Sequence, residues 1–216
     1  LSVTTAGSSD VRGGYVGIYA HHAGTGALNV TADGTVTGSN YYGIDARASN
    51  ASGTGALTIT TGAESEIRGR NAGIYAFRNG LGDLRVTADG LVTGTTGMGI
   101  RAVINSAGNL GDLVVTTGSE STVTGGTHGV YARHYGQGAL DVAVNGTVVG
   151  TSYDGITGFV LNAGNSHDFA IALGATGSAT GGYTGIRAYR QGSGALTITT
   201  EAGSAVTGGT SGIYAR

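Results

Sequence analysis

Apolar residues along this chain recur in short alternating runs, as in Ile18-Tyr19-Ala20 and Leu57-Thr58-Ile59-Thr60. A period of two marks a strand with one buried face, and helical spacing is missing. The runs themselves recur on a clock. Gly17-Ile18, Gly43-Ile44, Gly73-Ile74, Gly99-Ile100, Gly129-Val130, Gly155-Ile156, Gly185-Ile186 and Gly212-Ile213 stand 26, 30, 26, 30, 26, 30 and 27 residues apart. Leu1, Leu28, Leu57, Leu84, Leu113, Leu140, Phe169 and Leu196 form a second series spaced alternately by 27 and 29, and Val11, Val36, Ile67, Val92, Val123, Val148, Ala179 and Val206 form a third. Each period thus carries three short strands separated by Gly, Asn, Asp, Ser and Thr. This pattern predicts an all-β fold, a right-handed parallel β-helix with three sides. About eight coils of 26–30 residues, paired into a 56-residue double repeat, make residues 1–216 one solenoid. A leucine-rich-repeat horseshoe has a similar period, but its asparagine-centred signature and helical half are absent.

Composition sharpens this picture. The 216 residues include 44 Gly and no Pro. Glycine is expected at the corners between strands, for positive φ and for close backbone approach. Proline would delete a ladder donor in every central strand. With 39% hydrophobic residues and a net charge of −2 the chain should fold rather than stay disordered. One coil buries too few aliphatics to offset the ordering of its own backbone, so stability has to come from stacked neighbours. Eight coils at ~4.8 Å each give a rod of roughly 40 Å.

Charge removes several classes of partner. Charged residues are 11% of the chain, Lys is absent and like charges do not cluster, so nucleic acid and anionic membrane surfaces have no electrostatic warrant. No apolar run approaches the roughly 18 residues of a membrane span, and no basic stretch followed by an apolar core opens the chain, so any export signal is expected outside this piece. The chain is expected to be a fragment of something longer.

Candidate chemistry is confined to outward positions. With Ile18 and Ala20 pointing inward, one outward column reads Tyr19, Asp45, Tyr75, Arg101, Tyr131, Thr157, Arg187 and Tyr214. The next reads His21, Arg47, Phe77, Val103, Arg133, Phe159 and Tyr189. Tyr, Phe and Arg are the residues that binding surfaces favour, which makes an exposed strip of Tyr19, His21, Arg47, Tyr75, Phe77, Arg101, Tyr131, Arg133, Phe159, Arg187 and Tyr189 the candidate contact face. The competing reading is that these side chains merely brace neighbouring strands.

Catalytic and metal readings find little support. His22 and His134 share a register position but lie four coils apart, roughly 19 Å, without a third ligand. Asp83 and Asp112 precede Leu84 and Leu113 on adjacent coils, yet the next coil offers Ala139 and no Arg is obvious beside them. Asp33-Gly34, Asp89-Gly90 and Asn145-Gly146 read as turn chemistry. The Thr35-Val36-Thr37 and Thr122-Val123-Thr124 triplets hint at a flat threonine array, but Arg12, Arg68 and Val149 interrupt it. Gly-Thr-Gly-Ala-Leu is followed by no helix N-terminus that could receive a phosphate. No cofactor or metal is expected, and no enzymatic activity.

The units GIYAHHAGTGAL at 17–28, GVYARHYGQGAL at 129–140, ALTITTGA at 56–63 and ALTITTEA at 195–202 resemble the passenger repeats of Gram-negative autotransporters, the type V secreted proteins. The resemblance spans the whole chain. It implies a β-helix exported through a C-terminal outer-membrane barrel that lies outside this fragment, then displayed or released at the bacterial cell surface. Lack of Cys agrees with such export. Most members of the family are adhesins. The resemblance therefore implies an adhesin or host-interaction stalk, with a host cell-surface protein or glycan as partner, or self-association. A released passenger acting as a soluble receptor ligand, a passive spacer and a polysaccharide lyase or hydrolase are the alternatives. The protease members carry a separate globular domain with Gly-Asp-Ser-Gly, which this chain lacks.

Overall fold

A computed structural model describes residues 1–216 as 24 strands without a helix. The strands stack into three eight-stranded sheets in which every pairing is parallel and joins equivalent strands of successive coils. Sheet A holds Ser2–Thr5, Leu28–Ala32, Leu57–Thr61, Leu84–Ala88, Leu113–Thr117, Leu140–Val144, Phe169–Leu173 and Leu196–Thr200. Sheet B holds Asp10–Gly13, Thr35–Gly38, Glu66–Gly69, Leu91–Gly94, Thr122–Gly125, Thr147–Gly150, Ser178–Gly181 and Ala205–Gly208. Sheet C holds Ile18–His22, Tyr42–Ala48, Ala72–Arg78, Met98–Ile104, Val130–His134, Asp154–Val160, Thr184–Arg190 and Ser211–Ala215. Each coil runs A, B, C, so the chain is a three-sided β-solenoid of eight coils.

The three marker series are the interior columns. Leu28 pairs with Leu57, Val36 with Ile67 and Ile44 with Ile74, and the columns continue in that register into one core of 38 buried residues. The core is nearly constant along the axis. Its largest irregularity is compensated: where Leu gives way to Phe169, the facing alanine column carries Gly158, whose missing Cβ would fall 2.3 Å from the Phe169 ring.

Of the two reasons expected for glycine, close backbone approach holds and positive φ does not. Only Gly203 has a positive φ, at 96°, so the corners turn without left-handed residues. The columns arise from crowding. A Cβ on Gly38 would lie 1.7 Å from the Tyr42 carbonyl oxygen, and the equivalent glycine in each of the other coils meets the same obstacle at the B–C corner. A side chain cannot be accommodated there.

The double repeat comes from connection length. Odd coils set the A and B markers ten positions apart (Leu57 to Ile67) and the C and A markers ten (Ile74 to Leu84), whereas even coils set them eight (Leu84 to Val92) and thirteen (Ile100 to Leu113) apart. The eighth coil, Leu196 to Val206 to Ile213, repeats the odd spacing, so the alternation is not strict. At the C–A corner the long even connections are laced to the odd coils before and after them. Asn109 Nδ2 donates to the Gly80 and Gly82 carbonyls at 2.5 and 2.9 Å, and Asn165 Nδ2 to those of Gly136 and Gly138. In return Arg78 donates to Gly53 O at 2.6 Å, Arg190 donates to Asn165 O, and His134 Nε2 lies 3.0 Å from Gly111 O. The column His22, Ala48, Arg78, Ile104, His134, Val160, Arg190 thus alternates a base with an aliphatic side chain. His134 belongs to this corner lacing, His22 holds the same column position with its Nε2 buried and unpartnered, and no three His, Asp or Glu side chains converge as metal ligands anywhere in the chain.

Candidate aromatic and arginine face on sheet C

The two outward columns of sheet C are assembled in the expected register. Tyr19 pairs with Asp45, Asp45 with Tyr75, Tyr75 with Arg101, Arg101 with Tyr131, and the series continues through Thr157 to Arg187. Rungs roughly 4.8 Å apart are too close for long side chains to stand separately, so neighbours lean on each other. The strip is consequently less open than its composition implies. Tyr75 is buried, and Asp45, Val103 and Thr157 are buried with it. Tyr19, His21 and Arg187 are exposed, while Arg47, Phe77, Arg101, Tyr131, Arg133, Phe159 and Tyr189 are half-buried.

In coils 1–4 the strip closes on itself. Tyr75 lies between two guanidiniums, Arg47 at 5.0 Å and Arg101 at 4.9 Å from its ring centre. Arg47 is held in turn by a two-pronged bond to Asp45, at 2.7 and 2.9 Å, which raises its pKa. Desolvation raises the Tyr75 phenol as well. Tyr42 packs on Tyr75 with centroids 4.9 Å apart, Tyr41 on Tyr42, and Tyr15 stacks nearly flat on Tyr41.

Coils 5–8 are arranged differently. Tyr131, Phe159 and Tyr189 meet edge to face at 5.8 and 6.4 Å. Arg187 lies 5.7 Å above Phe159, and Arg133 covers Tyr135 at 4.8 Å. Neither arginine has a carboxylate partner; the ion pairs of the chain join Arg12 to Asp10, Arg47 to Asp45, Arg68 to Glu66, Arg85 to Asp83 and His128 to Asp154. His128 stacks on Tyr153 and faces buried Asp154, which also accepts from Thr157 Oγ1 at 2.8 Å. Burial, reinforced by Arg187 and opposed by Asp154, holds the His128 pKa below its ordinary value.

A third outward series escaped the sequence reading. Along the B–C corner main-chain bonds link Tyr15 to Tyr41 and, farther up the rod, Thr127 to Tyr153 and Tyr153 to Tyr183. Tyr15, Tyr153 and Tyr183 are among the most exposed large side chains of the molecule. Their signal was available, since each precedes its sheet C marker by a fixed three residues, but the count of alternating strand positions stops before the corner.

The aspartates are occupied by the backbone. Asp83 accepts the Asp112 amide at 3.1 Å, Asp112 the Ala139 amide at 2.9 Å and Asp168 the Ala195 amide at 2.9 Å. Arg85, overlooked from sequence, bonds Asp83 at 2.8 Å. Burial works against ionised Asp83, but this arginine and the Asp112 amide hold its pKa below the usual range. Burial pushes Asp141 up, with Asp112 and Asp168 adding to the shift.

The class defined by these features is a three-sided parallel β-solenoid with a near-constant interior and one aromatic, arginine-bearing face. Comparison with known proteins adds no relative: no family model matches the chain, and no curated protein or solved structure does.

Proposed function

We propose that this solenoid is a segment of a surface-displayed bacterial adhesin, a passenger of the autotransporter kind, that meets its host partner through the outer face of sheet C. One observation carries the reading. Positions 56 residues apart keep a β-branched aliphatic inside, as Ile18, Ile74, Val130 and Ile186 do, yet the outward position three residues on changes from His21 to Phe77 to Arg133 to Tyr189. Simple copying of a repeat would carry both along. Varied Tyr, Phe and Arg on a near-constant frame suits a surface shaped by what it touches. The passenger repeats that the sequence resembles support display at the cell surface. A spacer role fits coils 1–4, where the strip is closed over Tyr75.

The test is binding of the labelled whole chain to cultured host epithelial cells. Replacing Tyr131, Phe159 and Tyr189 by Ser is expected to lower bound protein at least tenfold while the circular dichroism spectrum stays that of the parent. Unchanged binding by the folded variant would make the chain a spacer.

A further inference from the structure

The adhesin reading leaves the ligand open, and the inference here rests on that reading. Coils 5–7 of sheet C enclose a shallow cleft of about 310 Å³ lined by Tyr131, Arg133, Phe159, Leu161, Arg187 and Tyr189. Its floor is aromatic. Its two charged groups are guanidiniums from different coils and different columns, so they approach the cleft diagonally. Neither is neutralised, and Arg133 Nε is buried without a hydrogen-bond partner. The only carboxylate on this face from coil 4 to coil 7, Asp154, is buried and turned toward His128 and Thr157. The corresponding cleft in coils 1–2, lined by Tyr15, Tyr19, Tyr41, Asp45 and Arg47, carries its own counter-ion.

We infer that the coil 5–7 cleft binds a carboxylate-bearing sugar of a linear host glycan. The chemistry follows from the lining. Guanidinium forks recognise a planar carboxylate through paired N–H···O bonds. Ring faces of Tyr and Phe receive the apolar C–H face of a pyranose, an amphipathic contact that aromatic side chains suit. The volume lies at the small end of ligand sites and matches one or two sugar rings rather than a folded partner. Eleven arginines dispersed among thirteen acidic residues exclude long polyanions held by charge alone, so the anion has to be read locally. An acidic peptide shares the charge but not the flat saturated ring.

The probe is a hyaluronan hexasaccharide, compared by calorimetric titration of the whole chain with its carboxyl methyl ester and with a hexaglutamate peptide. The acid form is expected to bind at least tenfold more tightly than the ester or the peptide. Arg133→Ser with Arg187→Ser should weaken it at least tenfold, and the double Lys replacement should recover only part of that loss, because a point charge lacks the fork. Arg68→Ser, on sheet B, should leave affinity unchanged. Absence of binding to the acid form, equal binding of the ester, or preference for the peptide overturns the inference. If the acid form does not bind but host-cell attachment still falls in the Tyr131, Phe159 and Tyr189 variant, the adhesin reading stands and the sugar assignment fails. If attachment is indifferent to that variant, the adhesin reading fails by itself.

Discussion

Coils 1–4 and coils 5–8 share one interior and differ on the same outer strip. In the first half an aromatic ring is enclosed between two arginines, one of them fixed by a buried aspartate. In the second half aromatic edges stay half-open beside two arginines without partners. Column composition is similar in both. What differs is whether neighbouring rungs supply charges that satisfy one another, and that decides whether the strip acts as a brace or as a surface.

Tyr75→Ser against Tyr131→Ser is the sharpest way to break this contrast. Tyr75 is 8% exposed and loses a ring packed on Tyr42 and covered by two guanidiniums, so its removal should cost about 3 kcal/mol. Tyr131 is half-buried and should cost about 1 kcal/mol. Urea midpoints of the two variants check this, with hydrogen exchange localising the loss, since a solenoid need not unfold in one step. Equal losses would mean that the two halves are one continuous brace.

The interior makes the complementary point, because its largest departure from the repeating columns is a packed pair in the second half. Gly158→Ala puts a Cβ into the Phe169 ring and should cost about 2 kcal/mol by overpacking. Phe169→Leu restores the side chain used elsewhere in that column, so the double variant should regain most of the loss. A double-mutant cycle measures the coupling. Additive effects would show that the ring finds room elsewhere and that the glycine is incidental.

Much of this was legible in the sequence because a parallel solenoid turns spacing directly into register: Leu28 to Leu57 in the chain is Leu28 beside Leu57 in the sheet. The columns on sheet C were legible for the same reason. Side-chain collapse was not, since the alternation that puts Tyr75 outside says nothing of Arg47 and Arg101 folding over it. Corner geometry was also hidden. The glycines could be counted, but crowding by the Tyr42 carbonyl rather than positive φ accounts for Gly38, and only three-dimensional proximity reveals it. Asp83 and Asp112 read as a carboxylate pair because their amide partners belong to the next coil.

The smallest expected effect separates the halves by pH. One corner column holds Arg78 in coil 3 and His134 in coil 5, both buried, each bonded to a carbonyl of the preceding even connection. The guanidinium stays charged throughout. His134 accepts the Gly136 amide on Nδ1 at 2.8 Å and faces Gly111 O through Nε2, which fits the neutral ring with its proton on Nε2. A second proton would place N–H against N–H. Burial accordingly depresses the His134 pKa, although the Gly111 carbonyl and Asp112 favour the charged form; His167 acts with burial. The unfolded chain then takes up this proton first. Stability is complete above the unfolded value of about 6.5 and declines as the pH falls from there toward the lower folded value. The Gly136 amide should open more readily at pH 5 than at pH 7.5 once intrinsic exchange is subtracted, and the Leu81 amide, bonded to Gly53 O at 2.7 Å beside Arg78, should not. His134→Gln, which keeps one donor and one acceptor, should abolish the difference. Persistence of acid opening at Gly136 in that variant would move the sensitivity to His128 and the strip itself, and the two halves would then differ in pH response through their outer face instead of their corner.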